Sequence, residues 1–330
     1  MGDIGTVDIL FFVAGSMPAI SASAPGKIIL LGEHAVVYGQ PAIAVPVNQV
    51  KAKVIVIANP ISSPGKIHVQ APAIELDSNL DELAKDHPIA VAVNLTVQAL
   101  KIARPPACTL RITSSIPVAS GLGSGAAVTV AVIRALSTFI GKPLSNEETN
   151  SIAFEVEKIY HGTPSGIDNT VVTYSRPVFF LRDQPIELLK VPHTFTIVIA
   201  DTGITSPTRV TVGDVRQAWQ SDPERVEPIF SAIGKIVDQA RRLIEYGKPY
   251  QVGPLMTEDH HLLQKLGVSS NELDLLVSAA LGAGALGAKL SGGGRGGNII
   301  ALAEPKDAPG LAEILRQAGA VQTIITTVGT

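Results

Sequence analysis

Apolar residues recur along the chain either at every second position or at helical spacing, and the two periods mark out its elements. Ala19 to Leu31 is a strand pattern. From Ser21 the chain reads as two β segments joined by a turn, with Ile28, Ile29, Leu30 and Leu31 in the first and Pro41 to Val47 opening the second. A further strand, Val50 to Ala58, follows. Asp77 to Arg104 carries helical periodicity through Leu80, Leu83, Ile89, Val93, Val97 and Leu100, and stops before Pro105 and Pro106, which no helix continues through. Thr109 to Thr113 is a strand leading to a glycine-rich loop. The next segment, Ala126 to Ile140, is apolar on every side, the mark of a buried helix.

Ser145 with Glu148 three residues on is a capping box for a helix carrying Ile152, Val156, Ile159 and Tyr160 on one stripe, ending near Gly162. Strands are expected around Val171 to Thr173, at Val178 to Leu181 and at Thr194 to Ala200. Several amphipathic helices fall between Val210 and Leu281. The chain closes as strand, glycine loop, strand (Asn298 to Ala303), helix (Ala308 to Ala318) and strand (Val321 to Val328). A domain boundary is placed near residue 187, giving sections 18–186 and 187–330. Residues 1–17 differ in pattern and end at Met17, so they read as an extension or a non-native start.

Composition narrows the function class. The chain has 330 residues, 46% hydrophobic but only 4% aromatic, which suits tightly packed layers of helix and sheet and excludes disorder. A net charge of −3 gives no global pull toward nucleic acid or an anionic membrane, so an anionic ligand needs a local site. The one cysteine, Cys108, rules out an internal disulfide framework and reads as a buried small hydrophobe. No run of about 18 apolar residues suggests a membrane span, and acidic residues precede Ile9 to Ala14, unlike a secretory signal. The expected compartment is the cytoplasm.

Two glycine loops dominate the chemistry, Pro117 to Ala127 and Ser291 to Gly297. Glycine lets backbone N–H groups approach an anion, and a helix directly after the first loop adds a dipole that favours phosphate. A strand, glycine loop and buried helix is therefore a phosphate-site candidate; the bland alternative is a tight turn. No G-x-x-x-x-G-K-[ST] is present. Gly121, Gly123 and Ala126 match a dinucleotide fingerprint, but no second strand with an acidic end follows about 20 residues on. Gly292, Gly294 and Gly297 match as well, but precede a strand.

The acid and base candidates each have an ordinary reading. Asp168, in a turn-rich segment, suits a cap carboxylate, and Glu157, four residues before His161, an exposed helical pair. Lys27 suits a solvated strand edge, and Glu33 and His34 the turn after it. His260 and His261 are neighbours on a helix and point about a hundred degrees apart, a poor geometry for one metal.

Ala24-Pro25-Gly26-Lys27-Ile28-Ile29-Leu30-Leu31-Gly32-Glu33-His34-Ala35-Val36-Val37-Tyr38-Gly39, the loop Gly121-Leu122-Gly123-Ser124, and Lys289-Leu290-Ser291-Gly292-Gly293-Gly294 connect these pieces. In this order they resemble the three motifs of the GHMP kinases, which act on galactose, homoserine, mevalonate and phosphomevalonate. The resemblance spans roughly residues 21 to 328. Gly32 to Gly39 and His161-Gly162-x-Pro164-Ser165-Gly166-x-Asp168-Asn169 are most similar to the mevalonate branch.

The resemblance implies an α+β fold, with a ribosomal S5-like N-terminal domain, a ferredoxin-like C-terminal domain, and ATP and substrate between them. It implies Asp168 as catalytic base with Lys27 as the cation beside it. Glu157 and Ser124 are the implied Mg²⁺ ligands, and Glu33, His34 and Thr208 the residues near the substrate. Pro117, Ser120, Gly121, Leu122, Gly123, Ser124, Gly125 and Ala126 are placed around the triphosphate. The implied partners are ATP and mevalonate, phosphorylated at its 5-hydroxyl; no nucleic acid or membrane is implied, and a homodimer is common in the family. Two positions depart from the pattern. Gly125 stands where many members carry a metal-binding serine, and Arg295 replaces a usual glycine and is expected at the phosphate mouth. A sister kinase for another small alcohol and a non-catalytic ligand sensor stay open as alternatives.

Overall fold

The structure, a computed structural model, describes residues 7–10, 19–117, 120–161, 164–185, 187–205 and 208–329. The chain forms two compact units, each drawing on several stretches of sequence. The first takes residues up to Gly26, Val50–Pro117 and Gly123–Ser175; the second takes Lys27–Gln49, the glycine-loop residues 120–122 and Arg176 onward.

The first unit holds β1 (Val7–Leu10), β2 (Ala19–Leu31, as far as Gly26), β3 (Ala42–Ala58, from Val50), β4 (Ile67–Ala71), β5 (Leu76–Asn79) and β6 (Cys108–Ser114). Their order in the sheet is β1-β2-β3-β6-β4-β5. β1 pairs antiparallel with the start of β2, Val7 opposite Ala22. β4 and β6 are parallel, while β3 with β6 and β4 with β5 are antiparallel. Four helices complete the unit: α1 (Pro88–Ala99), α2 (Ser124–Phe139), α3 (Asn146–His161) and α4 (Ile167–Tyr174). α2 packs on α1, α3 and α4. It is the buried apolar helix expected from its sequence, from Ala126 through Ser137 almost wholly enclosed. Its one charged residue, Arg134, is buried too, and donates to Asn146 at the start of α3 (3.0 Å) and to the Thr173 carbonyl in α4. Cys108 is buried as expected, and burial pushes its thiol up to about 12.

Three expectations need correction. Pro41–Val47 and Val50–Ala58 form one strand, β3. The polar pair Asn48 and Gln49 between them is exposed, and from there burial alternates, with Val50, Ala52, Val54 and Val56 inward and Lys51 and Lys53 outward. A polar pair changes which face is wet without breaking an extended backbone. In Asp77–Arg104 only Pro88–Ala99 is α-helical, with a single 3-10 turn at Leu80–Glu82. Asp77 and Asn79 belong to β5, opposite Gln70 and His68, and Pro88 starts the helix at its first turn with the His87 side chain accepting from the Ile89 N–H. Val171–Thr173 lies in helix α4: Gly166 caps it in the left-handed region, and packing on α2 and α3 overrides the β-branched preference.

In the second unit, β7 (Val178–Phe180) pairs with Ala42–Ala44 of β3 and with β8 (Glu187–Leu188). A separate antiparallel sheet has the order β10-β11-β9-β12, from β9 (Phe195–Asp201), β10 (Gly287–Ser291), β11 (Asn298–Ala303) and β12 (Gln322–Val328). Its helices are α5 (Thr208–Ser221), α6 (Pro223–Glu245), α7 (Gly253–Lys265), α8 (Asn271–Gly282) and α9 (Ala308–Gln317). α7 and α8 cover β10, and α9 covers β9 and β12. Ile197, Ile199, Leu290, Ile299 and Ile300 are almost fully buried. Each stabilises the unit by roughly 1.5–3 kcal/mol through area removed from water. No helix of the described residues is long and apolar enough to cross a membrane.

Candidate active site

In the second unit, hydrogen bonds tie the three motifs together. The Lys27 N–H donates to the Leu122 carbonyl at 2.9 Å, which joins the first motif to the glycine loop. On the other side of that loop the Asn298 side chain donates to the Ser120 carbonyl, and the Thr202 N–H and hydroxyl both donate to Gly297 at 2.9 Å. Lys27 is 4% exposed, so the solvated-edge reading does not hold.

Gly32 ends β2 at φ +100°, where a Cβ would come within 2.6 Å of Ala42 Cα and the Pro41 carbonyl. That close approach turns the chain into Glu33 and His34, both buried. His34 sits at φ +60°, a conformation costing a non-glycine residue about 1–3 kcal/mol. Its Nε2 lies 3.1 Å from the Gly293 carbonyl, so Nε2 carries the proton and donates. Burial lowers the His34 imidazole to about 4, against the opposing Gly293 bond, with the Lys289 and Arg295 charges adding to the lowering. The ring is therefore neutral near pH 7. Its Nδ1 is buried without a hydrogen-bond partner among the described residues and can accept from a hydroxyl.

Glu33 is held by a group the sequence reading gave no role. Lys289 Nζ donates to Glu33 Oε1 at 2.5 Å and to the Leu290 carbonyl at 2.6 Å, and lies 3.3 Å from Asp259 Oδ2 on α7. Glu33, Lys289 and Asp259 are all essentially fully buried. Burial drives the Asp259 carboxyl well above the usual carboxylate range, opposed by the Lys289 charge and reinforced by Glu33. The sequence did carry a signal: Lys289 is the one cation in the short strand Gly-Ala-Lys-Leu-Ser, and a buried ammonium needs a carboxylate.

The first unit contributes the other half of the candidate residues. Gly123 has φ +72°, and α2 starts at Ser124 with no side-chain cap bond to its first turn. The N–H groups of Ser124, Gly125 and Ala126 stand at a positive dipole end that suits phosphate oxygens. The capping box opens α3: Ser145 N–H donates to Glu148 at 2.9 Å, and Glu148 N–H to the Ser145 hydroxyl at 3.1 Å. α2 and α3 are equal in length, packed together and joined by a short connection, so α3 runs back antiparallel. Its last turns, carrying Glu157, return to the level of the α2 N-terminus, and α4 begins beside them with Asp168 in its first turn. Glu157 is buried, against the exposed-pair reading, and Asp168 is half-buried.

Arg295, expected at the phosphate mouth, donates to Asp214 on α5 and to the Gly267 carbonyl (3.2 Å). His260 is buried on α7, accepts from the Leu290 N–H, and faces Asp274 at 3.1 Å; burial lowers it to about 4. Thr208 opens α5, but its side chain lies outside the described residues, as do Val118, Ala119, Gly162 and Thr163. Pro117 ends the first unit's strand-to-loop segment. A pocket of about 460 Å³ in the second unit is lined by Val37, Tyr38, Arg182, Arg216, Trp219 and Gln220, with two guanidiniums and no carboxylate.

Comparison with known proteins gives the same family. Residues 88–176 match the GHMP kinases N terminal domain and residues 236–321 the GHMP kinases C terminal domain. Mevalonate kinase from Pyrococcus horikoshii is 37% identical over 325 residues, covering 92% of this chain and 94% of that one. Mevalonate kinase from Thermococcus gammatolerans is 39% identical over 308 residues, covering 87% and 90%. The crystal structure of L. major mevalonate kinase in complex with R-mevalonate superposes with a TM-score of 0.81 at 31% identity, covering 97% and 98%. The chain belongs to the GHMP kinases, within them to the mevalonate kinase family, and has their α+β fold.

Proposed function

We propose that this chain transfers the γ-phosphoryl group of ATP to the 5-hydroxyl of mevalonate, giving 5-phosphomevalonate for isoprenoid biosynthesis. One observation carries the reading. The glycine loop, Lys27 and the Glu33–His34 turn are joined by named hydrogen bonds to the Ser291–Asn298 loop, in a chain matching a kinase bound to R-mevalonate over 97% of its length.

Asp168 accepts the hydroxyl proton. A carboxylate is a weak base toward an alcohol, so the transfer comes late, as the oxygen attacks phosphorus. The Lys27 ammonium stabilises the charge that develops on that oxygen. Residues 120–126 and the first turn of α2 orient the triphosphate, so most of the rate comes from positioning and charge neutralisation. The neutral His34 ring can accept from a substrate hydroxyl through Nδ1. Arg182 and Arg216 supply the positive charge that a hydroxy acid requires and galactose does not. The buried carboxylate of Glu157 and the hydroxyl of Ser124 are hard oxygen donors at one end of the helix cluster, a donor set that fits Mg²⁺. When bound, Mg²⁺ neutralises phosphate charge. Gly125 offers no side-chain oxygen, so the protein's own ligands to the metal are few.

The test is Asp168→Asn. It keeps ATP binding and lowers kcat by about 10²–10⁴-fold, the usual worth of a general base. Full turnover in that variant contradicts the mechanism.

A further inference from the structure

Three residues of the third motif reach the first motif. Ser291 Oγ donates to the Ile29 carbonyl at 2.7 Å, Lys289 Nζ holds Glu33 Oε1 at 2.5 Å, and the Gly293 carbonyl accepts from His34 at 3.1 Å. Residues 289 and 291 are two apart on strand β10, which puts both side chains on one face, and Gly293 follows directly. Successive contacts at Ile29, Glu33 and His34 form one seam along the end of β2 and the turn after it. Asp259, on α7 packed against β10, stands 3.3 Å behind the ammonium. All three charged groups are out of water, so each holds the others in place.

Charge counting orders the cluster. Two carboxylates and one ammonium in a dry core leave one surplus negative charge unless one acid keeps its proton. Glu33 has the short bond to Lys289. Both Asp259 oxygens lack a hydrogen-bond partner among the described residues, and burial favours their protonated form. The geometry pairs Lys289 with Glu33 at 2.5 Å and sets Asp259 further back at 3.3 Å.

We propose that Lys289 is a positioning residue for the alcohol substrate: it fixes the Glu33 carboxylate, and through the Glu33–His34 turn it sets the imidazole that faces Gly293. The inference rests on the reading that this turn is substrate-facing. Lys289 touches no substrate itself. Its loss lets the turn shift, and a displacement of about 1 Å at such a position can cost up to ~100-fold.

The experiment is a double-mutant cycle on Lys289→Met and Glu33→Gln, with steady-state kinetics in mevalonate and ATP and ¹⁵N NMR of the His34 ring. Lys289→Met raises the mevalonate KM by about 10-fold or more and leaves the ATP KM within about twofold. The pair is no worse in mevalonate KM than Glu33→Gln alone, because Lys289 acts only through Glu33. In Lys289→Met the His34 titration moves up from about 4, since a neighbouring cation is gone. Should Lys289→Met fail to fold, the pair leaves no charged partner stranded, and it is compared directly with Glu33→Gln. Unchanged mevalonate KM and His34 titration in folded Lys289→Met overturn the proposal, as does a pair that is worse than Glu33→Gln by the full effect of the lysine. Wild-type silence on mevalonate overturns the substrate reading instead, and the His34 titration then decides the role of Lys289 alone.

Discussion

Gly32 joins strand β2 to the Glu33–His34 turn, and replacing it with alanine perturbs the site without touching a charged group. Two costs arise. A left-handed φ of +100° strains any residue with a Cβ by about 1–2 kcal/mol. The new Cβ also meets backbone, Ala42 Cα and the Pro41 carbonyl, at 2.6 Å, where neither neighbour is a side chain that can swing away. Forcing that contact apart costs about 1–3 kcal/mol as overpacking. Gly32→Ala therefore loses about 2–5 kcal/mol, a fall in melting temperature of about 3–7 °C for a chain of this size. Gly39→Ala is the control: its φ is +79°, but its Cβ would meet nothing within 4 Å, so it carries only the backbone cost. Calorimetry of the two variants isolates the overlap. Gly32→Ala melting no lower than Gly39→Ala refutes the reasoning.

Acid stability follows from the buried histidines. His34 and His260 stay neutral down to about 4 instead of 6.5, so as pH falls between those values the unfolded chain takes up protons that the folded one refuses. Stability present above about pH 6.5 is lost toward pH 4, by up to about 1.4 kcal/mol per pH unit for each ring. Asp259 works in the opposite sense, since its raised carboxyl holds a proton that the unfolded chain releases, so the net slope is that of about one proton. Asp259→Asn steepens it toward two, readable by urea unfolding at about pH 4.5, 5.5 and 6.5. Arg295→Ala leaves the ATP KM within about twofold and costs about 0–1 kcal/mol, because its pair with Asp214 is exposed (40% and 46%); a large rise in ATP KM would return Arg295 to the phosphate. Glu157→Gln raises the Mg²⁺ concentration for half-maximal rate by about tenfold or more, and an unchanged Mg²⁺ dependence removes Glu157 as a ligand.

Periodicity gave most elements of the fold, because α2 is apolar on every side and α3 carries its capping box in four residues. It failed where tertiary packing overrode local preference, as at Val171–Thr173, and where a polar pair sat inside an unbroken strand at Asn48–Gln49. Motif order named the glycine loops, Lys27 and Asp168 as candidates for the site. Burial was not legible: Lys27 and Glu157 each had a solvated reading that only the packed structure removes. Lys289 stands out as the lone cation of its short strand, but its partners Glu33 and Asp259 are far from it in sequence, and nothing local names them. The partner of Arg295, Asp214, was not legible either, since it lies 81 residues away.

The central claim is the transfer of phosphate to one hydroxyl of one alcohol. It is tested by ADP release with Mg²⁺ and ATP on mevalonate, phosphomevalonate, homoserine and galactose, with the position of the new phosphate fixed by ³¹P-coupled NMR. The account predicts turnover on mevalonate with phosphorus coupled to the C5 protons. Turnover confined to another alcohol, or phosphate at the 3-hydroxyl, contradicts it.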